Sequence, residues 1–191
     1  MNESNLFCPG GNRLFRIGFV VNPIAGMGGT VGLKGTDGLV EEALSRGAVP
    51  RAARRAEEAV RLLAGLPLRF LTCGGPMGEE SLARAGISGY ELVSNPPEGR
   101  TGQEDTVEAC RSFIGRGVDL ILFCGGDGTA RDIFSVVGDT IPILGIPAGV
   151  KMYSSVFAIT PEAAATIIRE GLVQGGRFHV RDAEVVDVDE E

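Results

Sequence analysis

Five apolar runs punctuate the chain: LFRIGFVV (14–21), LRFLTC (68–73), YELVS (90–94), VDLILFC (118–124) and IPILGI (141–146). Several are nearly continuous rather than alternating, as strands buried on both faces are. Between them, apolar positions recur at helical spacing. In PRAARRAEEAVRLLAGL (50–66), Ala53, Ala56, Val60 and Leu63 share one face and the charged residues take the other, with the leading proline suited to a first helical turn. In EDTVEACRSFIGRG (104–117), Val107, Cys110 and Ile114 align, Asp105 is placed to cap, and Gly115 or Gly117 to terminate. GTARDIFSVVG (128–138) and TPEAAATIIREGL (160–172) predict two further helices by the same logic. This strand–helix alternation predicts βαβ units, and so an α/β domain with a parallel sheet covered by helices on both faces. Ligands of such sheets bind beyond the carboxyl ends of the strands.

The two ends of the chain depart from that rhythm. Residues 1–15 read as an irregular leader, and residues 16–176 as the α/β domain. The last stretch, RFHVRDAEVVDVDEE (177–191), alternates and is acidic and β-branched, like the first strands of another sheet. It predicts a chain that stops as it enters a second domain.

Composition narrows the function. Among 191 residues there are 29 glycines, without period, clustered at the ends of the apolar runs. Loops of that kind are built for close backbone approach. A net charge of −7 and a pI near 4.9 argue against nucleic acid as a partner. Phosphates remain possible ligands through backbone N–H groups, local cations and Mg²⁺. Cys8, Cys73, Cys110 and Cys124 form no CxxC pair, which reads as reduced thiols in a cytoplasmic protein. A single histidine, His179, argues against a histidine zinc site. No apolar run is long enough for a membrane span.

Three glycine loops fall on one predicted edge. VVNPIAGMGGTVGLKGTDG (20–38) fails both Walker A, because Lys34-Gly35-Thr36 is in the wrong order, and GxGxxG, because Val31 ends the frame. It offers Asn22, Gly26, Gly28, Gly29 and one cation, Lys34; a mobile surface loop is an equal reading. CGGDGTARD (124–132) joins a strand, a glycine turn and a helix start, an arrangement that points free N–H groups and the helix dipole at an anion. Gly125, Gly126, Gly128 and Thr129 would line it. Asp127 is costly beside phosphates unless it holds Mg²⁺, accepts a proton from an attacking hydroxyl, or both. The bland alternative is a Gly-Asp-Gly turn with Asp127 as N-cap. GIPAGVKMYSSVFA (145–158) offers Gly149 and Lys151 against the reading of a plain connection. NPPEGRTGQEDT (95–106) adds Arg100, Thr101 and Thr106 as candidate phosphate contacts, with capping of the next helix by Asp105 or Thr106 at least as good a reading.

Taken in order, NPIAGMGGTVGLKGTDG, GGDGTARDI and GIPAGVKMYSSVFA resemble the ATP-NAD kinase family, in the branch of the acetoin-catabolism protein X group, with diacylglycerol and sphingosine kinases as GGDGT-bearing cousins. The similarity runs from about residue 16 to the end. It implies a three-layer doubly wound domain like the N-terminal domain of NAD kinases, followed by a β-rich second domain that this chain does not carry. It further implies transfer of the terminal phosphoryl of ATP, or of polyphosphate, to the 2′-hydroxyl of the adenosine ribose of NAD, with Mg²⁺ or another divalent cation. By the same resemblance Asp127 takes the place of the catalytic aspartate and Gly125, Gly126, Gly128 and Thr129 that of the phosphate loop. Asn22 and Pro23 match the Asn-Pro of the lipid-kinase cousins, and Asp132 falls where those carry a glutamate. Homo-oligomers are common in the family. The segment GIPAGVKMYS departs from the GIN-x-G-x-LGF type of the ordinary bacterial enzymes, and the family's ribose-gripping Asn-Glu or Asn-Asp pair belongs to the second domain.

Two other readings stand beside this one. A GGDGT kinase acting on a lipid or other small hydroxyl compound would call for an apolar entrance, and aromatics make up only 6% of the chain. A nucleotide-binding or regulatory module without catalysis would bind ligand and turn nothing over.

Overall fold

The structure is a computed structural model that describes residues 4–7, 13–26, 50–96, 101–150, 152–175 and 177–186. Strand β1 spans Ser4–Phe7 and β2 Phe15–Val21; helix α1 follows at Ala52–Arg61, then β3 at Leu68–Cys73. A 3₁₀ turn at Gly75–Met77 leads to α2 (Glu79–Arg84), β4 (Glu91–Ser94) and α3 (Gln103–Gly115). The chain continues through β5 (Leu120–Gly125), α4 (Asp127–Val137), β6 (Ile143–Pro147), α5 (Pro161–Val173) and β7 (Arg177–Val180).

Five strands form one all-parallel sheet in the order β4-β3-β2-β5-β6. The near-continuous apolar runs have the predicted cause. In β5 all six residues are buried, because helices cover both faces. Ile17, Phe19, Val21, Leu122 and Cys124 face α1 and α5, where Ala52, Ala56, Ala59, Val60, Leu63, Ala164 and Ile168 meet them. Val20, Leu71, Ile121 and Phe123 face α3 and α4, packing on Cys110, Phe113, Ala130 and Ile133. Two cores separated by one sheet make a three-layer α/β fold.

The buried face of α3 differs from the expected one. Thr106, Ala109, Cys110 and Phe113 point inward, whereas Ile114 is 38% exposed. Gly18 in β2 explains this. A Cβ there would lie 2.7 Å from the Phe113 ring, so the missing side chain makes room for phenylalanine and turns the helix by one position. Asp105 does serve the helix start, accepting the Gly102 N–H at 2.7 Å. In α1 the proline, Pro50, stands before the N-cap Arg51 rather than inside the first turn.

The leader expected to be irregular carries a strand. Ser4–Phe7 pairs antiparallel with β7, Ser4 opposite Val180 and Phe7 opposite Arg177. The same strand β7 that reads as the opening of another sheet thus folds back on this domain. Phe178 stacks on Phe15 with ring centroids 5.0 Å apart. It lies so close to α5 that a Cβ on Gly171 would be 2.2 Å from the ring. No helix among the described residues is long and apolar enough to cross a membrane.

Candidate functional site

From β2 the chain builds outward to β3 and β4, then crosses back to build β5 and β6 on the other side. The loops leaving β2 and β5 therefore meet at the point where strand order reverses, the place where open α/β sheets form their ligand crevice. Asn22 ties the two loops together. Its N–H donates to Cys124 O at 2.9 Å, continuing the β2–β5 ladder by one rung. Its side chain accepts from Ile24 N–H at 3.2 Å, the Asx-turn pattern, and donates through Nδ2 to Thr129 Oγ1 at 3.0 Å. The amide supplies both polarities at once, accepting through Oδ1 and donating through Nδ2.

The third loop closes on the first two. Ala148 N–H donates to Gly125 O at 3.0 Å. Gly26 has φ +77°, and a Cβ on it would lie 2.3 Å from Ala148 O. A Cβ on Gly149 would lie 3.7 Å from Gly26 Cα. At Gly26 backbone touches backbone, which only glycine allows, whereas the Gly149 contact is an ordinary van der Waals one.

Helix α4 begins at this junction with Gly126 as its N-cap, and neither Asp127 nor Thr129 caps it. Thr129 is 4% exposed and instead accepts from Asn22. Asp127 occupies the first helical position and turns its carboxylate to the third loop. Oδ1 accepts the Ser154 N–H at 2.7 Å, and the Tyr153 N–H divides between Oδ1 at 3.1 Å and Oδ2 at 3.0 Å. Oδ1 thus carries two donors and Oδ2 one shared donor, leaving Oδ2 the greater spare accepting capacity. The α4 N-terminus and its N–H groups give the same spot a positive partial charge.

The glycines of the motif are not equivalent. A Cβ on Gly125 would sit 2.5 Å from Thr129 Cβ, so packing alone demands glycine there. On Gly126 it would meet no protein atom within 4 Å, and on Gly128 nothing nearer than Arg131 Nη2 at 4.0 Å. Neither has a positive φ. The fold itself does not ask for glycine at these two positions.

A family model described as the ATP-NAD kinase N-terminal domain matches residues 17–177. The chain belongs to the ATP-NAD kinase family. No curated protein and no solved structure matches it. The family match takes in β2 from Ile17 onward, every helix described and the three loops around Asp127.

Of the residues singled out from the sequence, Asn22, Gly26, Gly125, Gly126, Asp127, Gly128, Thr129 and Gly149 come together at the crevice. Thr101 lies directly before Gly102, the N-cap of α3. The next residue, Gln103, donates from Nε2 to Asp132 Oδ1 at 2.9 Å, so the α3 start is docked on α4. Asp132 is 9% exposed, with Arg131 Nε 3.6 Å away as a second partner. Thr106 is buried in the α3 interface. Gly28, Gly29, Lys34, Arg100 and Lys151 lie outside the described residues.

Three features of the edge were not singled out from sequence. The first is the amide pair Tyr153 and Ser154, invisible in side-chain patterns because backbone N–H groups do the binding. The second is the loop after β3, where Gly78 has φ +147° and its missing Cβ leaves room for the Thr72 hydroxyl, which donates to Phe19 O at 2.8 Å. Its signal was the run CGGPMG (73–78) at a strand end. The third is Arg55, read as a surface charge of α1, which donates from Nη1 to Pro147 O at 2.8 Å at the carboxyl end of β6.

The buried cysteines are free thiols with no nucleophilic role at neutral pH. Burial pushes Cys73 up to about 11 and both Cys110 and Cys124 up to about 12. No group of three or more His, Cys, Asp or Glu side chains capable of holding a metal occurs among the described residues.

Proposed function

We propose that this domain moves the terminal phosphoryl of ATP, or of polyphosphate, onto the 2′-hydroxyl of the adenosine ribose of NAD, giving NADP. The observation that carries the reading is Asp127, set at a helix N-terminus where three glycine loops meet and held with one oxygen more lightly engaged than the other. Glycine at positions 126 and 128, which packing does not require, supports it. Such positions suit phosphates that must come down onto the backbone.

In this reading the N–H groups of Gly126, Gly128 and Thr129 bind donor phosphate oxygens, with the α4 dipole adding to the attraction. Asn22 and Thr129 keep the β2 and β5 loops in register. Asp127 Oδ2 orients the ribose hydroxyl and takes its proton late. Phosphoryl transfer depends on positioning and charge neutralisation more than on a strong base, so an ordinary carboxylate suffices. A divalent cation fits a site with a single carboxylate, since Mg²⁺ is commonly held by one or two carboxylates together with substrate phosphates. Asp127 is the residue that would hold it, and bound there it would neutralise phosphate charge.

The test is NADP formation from NAD with Mg-ATP, and separately with polyphosphate, for the wild type and Asp127→Asn. Product from the wild type and none from the variant supports the reading. Nucleotide binding without product from either protein would leave a binding module in place of the enzyme.

A further inference from the structure

Ser154 is 4% exposed and makes two bonds in opposite directions. Its N–H donates to Asp127 Oδ1 at 2.7 Å, while its hydroxyl accepts the N–H of Val186 at 3.0 Å. Ser155 fastens the same distant segment. Its N–H and Oγ both donate to Glu184 O, at 2.9 and 3.2 Å, and its Oγ accepts the Glu184 N–H at 2.8 Å. Val185, between the two, packs against the core on the α3–α4 face of the sheet. On its other side the 154–158 stretch is pinned to β6, by Gly145 N–H to Val156 O and Ala158 N–H to Gly145 O, both 2.9 Å. The Phe157 ring meets Phe123 edge-on with centroids 5.3 Å apart.

An aspartate carboxylate turns about a soft torsion, with no deep staggered well to hold it. What fixes Asp127 is the pair of amides at Tyr153 and Ser154. Those amides are fixed in turn by β6 on one side and by residues 184–186 on the other. We infer that Ser154 is a positioning residue for Asp127, and that through it the 184–186 segment sets the orientation of the carboxylate. The inference deepens the proposed kinase reading and rests on it for its catalytic arm. Ser154 need not touch substrate. Its hydroxyl holds the strap, its amide holds the carboxylate, and displacement of residues 184–186 turns Oδ2 away from the crevice.

The full chain is compared with Ser154→Ala, Ser154→Thr and Ser155→Ala, by NADP-forming kinetics and by amide hydrogen exchange. Ser154→Ala keeps the amide and removes only its hydroxyl's bond to the strap. Loss of one hydrogen bond to the strap should lower kcat about tenfold, leave KM for the phosphoryl donor within about twofold, and speed exchange at the Tyr153 and Ser154 amides about tenfold. Ser154→Thr should restore both, and Ser155→Ala should give a smaller change of the same kind. Should Ser154→Ala fail to fold, Ser154→Cys, of similar size and a poorer acceptor, supplies the comparison. Faster exchange at Val186 with unchanged exchange at Tyr153 and Ser154 would overturn the inference, reducing the strap to a clip. A wild type that forms no NADP would refute the kinase reading, while the exchange data would still decide whether the strap governs the amides.

Discussion

The two edges of the sheet are built from different materials. At the amino edge, side chains hold the connections. Asp119 pairs with Arg13 and accepts the Arg16 N–H at 2.8 Å, and Glu91 takes Arg69 at 3.4 Å and Arg116 at 3.0 Å. At the carboxyl edge the loops touch through their backbones, at Gly26 and Ala148, at Gly125 and Ala148, and at Asp127 with the amides of Tyr153 and Ser154. Charged pairs tolerate exchange for one another and lose strength in salt. Backbone contacts leave N–H groups aimed in a fixed direction, and at Gly26 a Cβ would run into the Ala148 carbonyl. The amino edge is an anchorage, whereas the carboxyl edge is where the proposed nucleotide would sit.

That contrast can be broken in graded ways. The largest expected effect is on turnover. Asp127→Asn should cut NADP formation by about 10²–10⁴-fold, the usual worth of a positioned proton acceptor, with the melting temperature little changed. An equal loss of folding and activity would count against a site at this edge. Next come the two kinds of glycine. Gly125→Ala should destabilise the fold by about 1–3 kcal/mol in a denaturant titration, since its Cβ would press on Thr129. Gly128→Ala should do the opposite, raising stability by up to about 1 kcal/mol because alanine is the better helix residue, while weakening nucleotide binding. If both glycines behave alike, the distinction between packing and ligand fails.

Smaller effects belong to the anchorage. Glu91→Gln should cost no more than about 1 kcal/mol, and less at high salt, because its pairs are solvent-exposed. A pH titration reads the interior between the edges. Cys73, Cys110 and Cys124 have folded-state values raised from 9.0 to between about 11 and about 12, by burial above all. Between those limits the folded state keeps protons that the unfolded state sheds, so stability is full below pH 9 and declines as pH climbs toward 12. Cys110→Ala should flatten that decline, as urea midpoints measured at successive pH values would record.

Much of this architecture can be read from local pattern. The five parallel strands lie within a residue or two of the apolar runs, because burial on both faces leaves a continuous signature. The GGDGT stretch could be placed at a strand-to-helix junction on the same grounds. Where the reading slipped, the deciding partner lay far along the chain. The face of α3 depends on a glycine in β2, and β1 depends on β7 more than 160 residues away. Asp127's own partners escaped notice because amides of a loop leave no mark in residue type. Arg55 shows the converse, a long side chain whose head reaches past the surface it was assigned to and bonds the Pro147 carbonyl.

The pairing of β1 with β7 has a mechanical meaning. Ser4 faces Val180 and Phe7 faces Arg177, so both ends of the chain leave the ladder from the same side. A pull on the two ends would unzip it one rung at a time and would not shear all its rungs together. Yet tension entering from the carboxyl end reaches Val186 and Glu184 before it reaches that ladder, and these hang on Ser154 and Ser155. The first element to feel a tug on the tail is therefore the grip on Asp127, and the outer ladder opens only afterwards.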